Sequence, residues 1–185
     1  MNHFEFTGET KVFLGITLKR IKASVSFSTV IKGQIGGWIE KEENLSGNAW
    51  VSGDAWVYGN AQVSGNARVY GDAWVSGDAW VSGDARVYGD AWVSGDAQVY
   101  GNARVYGDAW KKSPLHIMLT RWPLTVSTKT IITIGCNSFT VPKWEEKAET
   151  IAQKEGMNVD EITEYKLAIQ YAKQWMAIYC KSKED

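Results

Sequence analysis

Two histidines and two cysteines carry the readiest reactive chemistry in this chain: His3, His116, Cys136 and Cys180. A histidine works near neutral pH as a general base, and a thiolate as a nucleophile. Cys136 with His116 would be a minimal nucleophile and base, yet a cysteine in an apolar strand is far more often a packed thiol. Metal sites need three or more ligands at set spacings, and neither cysteine has a ligand neighbour. The expectation is therefore no catalytic residue, no metal and no cofactor. Two cysteines make no disulfide framework, and free thiols suit a cytoplasmic protein.

Two other sets recur at fixed spacing. Arg68, Arg86 and Arg104 are each followed two residues later by Tyr70, Tyr88 and Tyr106. Guanidiniums grip phosphate and phenol rings stack on bases, so these six are candidate ligand-binding residues for a small anionic ligand. Plain sheet chemistry competes with that reading, since Tyr suits strand surfaces and the Asp and Asn corners can offset an Arg ladder. Trp56, Trp74, Trp92 and Trp110 form the second set, a candidate interface for a protein partner, a second copy of the chain or the chain's own C-terminal helices.

The elements that position these residues follow from a six-residue period. From Gly47 to Tyr106 the chain repeats Gly-(Asp/Asn)-Ala-x-Val-(Ser/Tyr) ten times, and an eleventh unit stops after Trp110. A short fixed period marks a solenoid whose coils supply one another's core. Ala and Val alternate with x, so both point to one face of a short strand and x to the other. The (Ser/Tyr)-Gly-(Asp/Asn) stretch is turn chemistry. Nothing larger than Val faces inward, so the core is thin and continuous.

The chain resembles the hexapeptide-repeat family, which implies a left-handed parallel β-helix with three hexapeptides per coil. Residues eighteen apart then stack on one wall, and the outward positions sort accordingly. One column is the Trp set. A second reads Trp50, Arg68, Arg86, Arg104, and the third Gln62, Trp80, Gln98. Asp54, Asp72, Asp90 and Asp108 form one all-Asp corner, a cation site by charge but explained by turn geometry.

Residues 1–46 read as an N-terminal β cap, with strand-like alternation over Lys11–Leu18. Residues 47–112 are the β-helix. Residues 113–185 read as an α+β domain, a β-hairpin plus two helices. Two or three strands are expected, at Leu115–Thr120, Leu124–Thr128 and Thr130–Cys136. One helix starts near Thr140 with Pro142 in its first turn and stops at Gly156; Asp160 caps a second, running to about Cys180. Ile162, Tyr165, Ile169, Ala172, Met176 and Tyr179 form its packing stripe. The fold class is mainly β.

Phe4-Glu5-Phe6-Thr7-Gly8-Glu9, Gly36-Gly37-Trp38-Ile39-Glu40 with Asn44-Leu45-Ser46, and Ile134-Gly135-Cys136 followed by Trp144 look like a group of hexapeptide-repeat proteins of phages and prophages. That resemblance implies a setting, and with it counter-defence: sequestering a host immune protein or its nucleotide signal. Hexapeptide acyltransferases share the repeat but use a histidine between coils, and the carbonic anhydrases of this fold use three. Here both histidines lie outside an uninterrupted repeat. An enzyme is not expected.

Charge narrows the partners. The chain is near neutral at −1, while residues 47–110 hold seven Asp against three Arg and no Lys, a net −4 that opposes long nucleic acid. No segment approaches the ~20 apolar residues of a membrane span, and the N-terminus lacks a signal peptide's basic and apolar regions. The sequence thus points to a non-catalytic cytoplasmic binding protein acting through the outer walls of a rigid solenoid.

Overall fold

The computed structural model describes residues 2–180. The chain forms two compact units, Met1–Ser113 and Pro114–Asp185.

Unit one is a β-solenoid with three walls of parallel strands. The first wall stacks β3 (Ile35–Ile39), β5 (Trp56–Val57), β8 (Trp74–Val75), β11 (Trp92–Val93) and β14 (Ala109–Trp110). The second stacks β4 (Trp50–Val51), β7 (Arg68–Val69), β10 (Arg86–Tyr88) and β13 (Arg104–Tyr106), and the third β6 (Gln62–Val63), β9 (Trp80–Val81) and β12 (Gln98–Val99). Every pairing within residues 50–106 is offset by eighteen residues, as in Trp50↔Arg68 and Gln62↔Trp80. The repeat Ala and Val side chains from Ala49 to Val105 are buried almost completely. Glycine is required at the corners twice over: Gly65 sits at φ +67, and a Cβ there would lie 3.0 Å from the Gly83 nitrogen one coil below. Mixed Asn/Asp corners carry hydrogen-bond ladders, with Asn48 donating to Asn66 (3.3 Å) and Asn66 to Asp84 (3.1 Å).

The N-terminal cap extends the first wall. β1 (Phe4–Phe13) and β2 (Ile16–Ala23) form an antiparallel hairpin, and β2 pairs with β3, which runs parallel to β5. The expected single strand over Lys11–Leu18 is instead a hairpin tip. Phe13 pairs with Ile16 across Leu14 and Gly15, both at positive φ (47° and 81°). A two-residue turn with positive φ at both positions joins strands without breaking the alternation, which hid the turn.

The last coil departs from the eighteen-residue step. Trp92 pairs with Ala109, and Val93 with Trp110. One residue has dropped out of register, so Trp110 takes the inward position of a Val and is 5% exposed. No repeat follows to hold the register, and the ring is buried at a step where the repeats place a Val.

Unit two contains an antiparallel sheet in the order β15 (His116–Ile117), β16 (Leu124–Val126), β17 (Ile131–Ile134) and β18 (Asn137–Thr140), followed by α1 (Val141–Lys154) and α2 (Val159–Tyr179). Three strands fall where expected, and a fourth is added because Gly135 at φ +58 turns the chain back to form β18. Cys136 accordingly lies exposed in a turn, outside any strand. The helix α2 is capped by Asn158, not Asp160: the Asn158 side chain accepts from Glu161 N–H, and Glu161 accepts from Asn158 N–H (2.9 Å each). Tyr165, Ala168, Ile169, Ala172 and Met176 are its buried face, while Tyr179 is exposed. Trp144 of α1 is buried and donates to the Ile132 carbonyl at 2.8 Å.

Candidate functional site

The Trp wall is partly closed by its own cap. In register it reads Trp38, Trp56, Trp74, Trp92, with Trp110 removed to the interior and Trp38 added at the top. Trp38 stands eighteen residues before Trp56, so the step that grouped the others already pointed to it. Trp56 and Trp74 stack face to face at 4.7 Å and 4°. The hairpin tip covers them. Phe13 meets Trp56 and Trp74 edge-on (5.0 and 5.2 Å), and the Lys11 ammonium lies between the rings of Trp38 and Trp56 (4.1 and 4.3 Å). Burial lowers the Lys11 pKa against the opposing pull of Asp54. Trp92 remains 44% exposed and donates to Ser76 Oγ at 3.3 Å. On the third wall Trp80 is similarly open and donates to Ser64 Oγ at 3.1 Å.

The Arg/Tyr wall is assembled as the eighteen-residue step predicts. Arg68 pairs with Arg86 and Arg86 with Arg104, and Tyr88 with Tyr106. The phenol rings form a continuous column: Tyr70–Tyr88 are 5.1 Å apart at 4°, Tyr88–Tyr106 5.1 Å at 26°. Burial raises the Tyr88 pKa, with its two Tyr neighbours adding to it, so its hydroxyl stays protonated at neutral pH. Above Arg68 the wall is shut by Trp50, 2% exposed and packed against Phe27 (5.7 Å). Phe27 also lies 5.8 Å from the Arg68 guanidinium, whose Nη1 is buried with no hydrogen-bond partner. Burial, then the Arg86 charge, pulls the Arg68 pKa down.

Among the five arginines, ion pairing divides the three on this wall from the other two, Arg20 and Arg121. Arg20, Lys22, Arg121, Lys143, Lys166 and Lys173 each pair with a glutamate within 3.3 Å. Among the described residues no ion pair involves Arg68, Arg86 or Arg104. Like charges in register on adjacent strands are unfavourable unless something offsets them.

The histidines and cysteines stand elsewhere. His3 Nε2 lies 2.8 Å from the Ala49 carbonyl oxygen. His116 Nδ1 lies 2.8 Å from Thr125 Oγ1, and burial lowers its pKa. No group of three or more His, Cys, Asp or Glu able to hold a metal occurs among the described residues. No helix there is long and apolar enough to cross a membrane.

A family model described as YdcK Beta solenoid repeat matches residues 61–77, 79–95 and 97–111. The three windows begin eighteen residues apart, the same step that relates neighbouring coils. The similarity lies within residues 61–111 and agrees with the β-solenoid coils seen there. No curated protein matches the chain.

Proposed function

We propose that this chain is a non-catalytic binding protein, of the phage or prophage type its terminal motifs resemble, and that it holds a small anionic ligand on the Arg68/Arg86/Arg104 wall. The observation that carries the reading is the stack of three guanidiniums in register with no carboxylate paired to any of them. An anion spanning neighbouring guanidiniums would offset their repulsion and form charge-assisted, bidentate hydrogen bonds. The wall offers guanidiniums and phenols, and neither histidine nor cysteine stands on it, which supports binding without turnover. The Trp wall supports a protein partner less well, because Lys11 and Phe13 already occupy its upper part and Trp92 is its one well-exposed indole.

The test is thermal unfolding of the intact chain with a panel of mono- and polyvalent anions, against the variant Arg68→Gln/Arg86→Gln/Arg104→Gln. A ligand at about a hundred times its Kd stabilises by about 2.7 kcal/mol. In a chain of this length that raises Tm by roughly 5–10 °C. The rise is expected in the natural chain and absent from the variant. A panel that shifts neither protein, or both equally, overturns the assignment.

A further inference from the structure

Building on that reading of the wall, we propose that its ligand is an oligophosphate chain, laid lengthwise along Arg68, Arg86 and Arg104 and recognised through its phosphates alone. Coils in register stand about 4.8 Å apart, so the ladder runs about 10 Å from first guanidinium to last. A triphosphate with its terminal oxygens is about that long, and every link presents an oxyanion. An extended acidic peptide fits less well: three carboxylates on one face span roughly 13 Å, longer than the ladder.

The Tyr column decides how much of a nucleotide is read. Inserting a base between two rings requires roughly 6.8 Å, twice the ~3.4 Å stacking interval. The rings stand 5.1 Å apart and already stack on each other. The faces between the rings are used up, so no base can enter between two of them. The phenols can donate to phosphate oxygens but offer no slot for a base between them.

Two further features limit the ligand's length and width. Trp50 and Phe27 shut the wall above Arg68, so the chain has a closed end there. Acidic corners border both columns: Asp72 and Asp90 two residues beyond Tyr70 and Tyr88, and Asp84 two residues before Arg86. A short chain centred on the guanidiniums avoids them. A long or broad polyanion does not.

Isothermal titration of the intact chain at low salt, without divalent cations, tests this with inorganic phosphate, pyrophosphate, tripolyphosphate, ATP, adenosine and citrate. Affinity is expected to rise at least tenfold from phosphate to tripolyphosphate, with adenosine silent and ATP no tighter than tripolyphosphate. Equal affinity for the two assigns any triphosphate-bearing molecule as source; ATP at least tenfold weaker assigns the free chain. Arg86→Gln should weaken tripolyphosphate at least tenfold with Tm within a few degrees of the natural chain, and Arg86→Lys should restore part of it. ATP tenfold tighter than tripolyphosphate, affinity independent of chain length, or an unchanged Arg86→Gln overturns the proposal. Arg-dependent binding of citrate with a flat phosphate series would overturn the oligophosphate alone and leave the anion-binding wall standing.

Discussion

Trp110 and Trp92 are neighbours in the first wall, one turned inward and the other half open to solvent. Removing a large buried aromatic costs about 3–5 kcal/mol. Trp110→Ala should therefore lower the stability of unit one by that order, and Trp92→Ala by about 1 kcal/mol or less, as for surface sites. Denaturant midpoints of the two variants check the contrast, and equal costs would mean that the inward turn of Trp110 contributes nothing to stability. Sequence spacing placed Trp110 in the wrong column because a period predicts stacking only while coils continue beneath it. A second residue-scale prediction concerns His116. Burial lowers its folded pKa below the unfolded value of about 6.5, so between the two values the unfolded chain binds the proton and the folded chain does not. This contribution to stability is complete above pH ~6.5 and declines as pH falls through the folded pKa. Melting of unit two at pH 7.5 and 5.5 should show a smaller drop for His116→Asn than for the natural chain. An identical drop would assign the pH dependence to other groups.

At the scale of elements, the Gly36-Gly37 pair explains why the cap can dock on the first coils. A Cβ at Gly37 would lie 2.7 Å from the Ala55 carbonyl oxygen and 2.8 Å from Val51 Cγ1; one at Gly36 would lie 2.6 Å from Ile21 Cγ1. Backbone atoms cannot swing aside as a side-chain tip can, so β3 must retreat from the coil if either glycine is enlarged. Gly37→Ala is expected to destabilise unit one by about 1–3 kcal/mol, the usual cost of overpacking. It should also speed proteolysis within residues 1–46, as the hairpin loses its anchor. Unchanged protection there would show that Lys11 and Phe13 hold the cap without β3. The cap was legible from sequence as a blunting element, and the Gly-Gly-Trp-Ile-Glu motif marked the junction. Its fold-back over Trp56 and Trp74 was not legible, because contacts of Lys11 and Phe13 some forty to sixty residues away leave no local period. The walls were readable for the opposite reason: each repeat supplies the same inward Ala and Val, so spacing alone sets the register.

At the scale of the whole molecule, backbone protection follows the division into units. Within residues 47–106 trypsin has only three sites, Arg68, Arg86 and Arg104, each in a strand hydrogen-bonded to a neighbouring coil. The junction carries Lys111 and Lys112, both exposed, followed by Ser113, whose hydroxyl accepts from Gln98 N–H at 2.9 Å. Cleavage needs a segment that can leave its contacts, and a single side-chain hydrogen bond is a weaker restraint than a ladder. Limited trypsinolysis is therefore expected to cut at Lys111 or Lys112 well before any repeat arginine, with mass spectrometry of the first products as the readout. The Arg/Tyr wall lies wholly within the solenoid, so bound tripolyphosphate should further slow cleavage at Arg86 and leave the rate at Lys111 and Lys112 unchanged. First cuts within residues 47–106 would mean that the coils open more readily than the junction, and a wall built on such coils could not hold three guanidiniums in register.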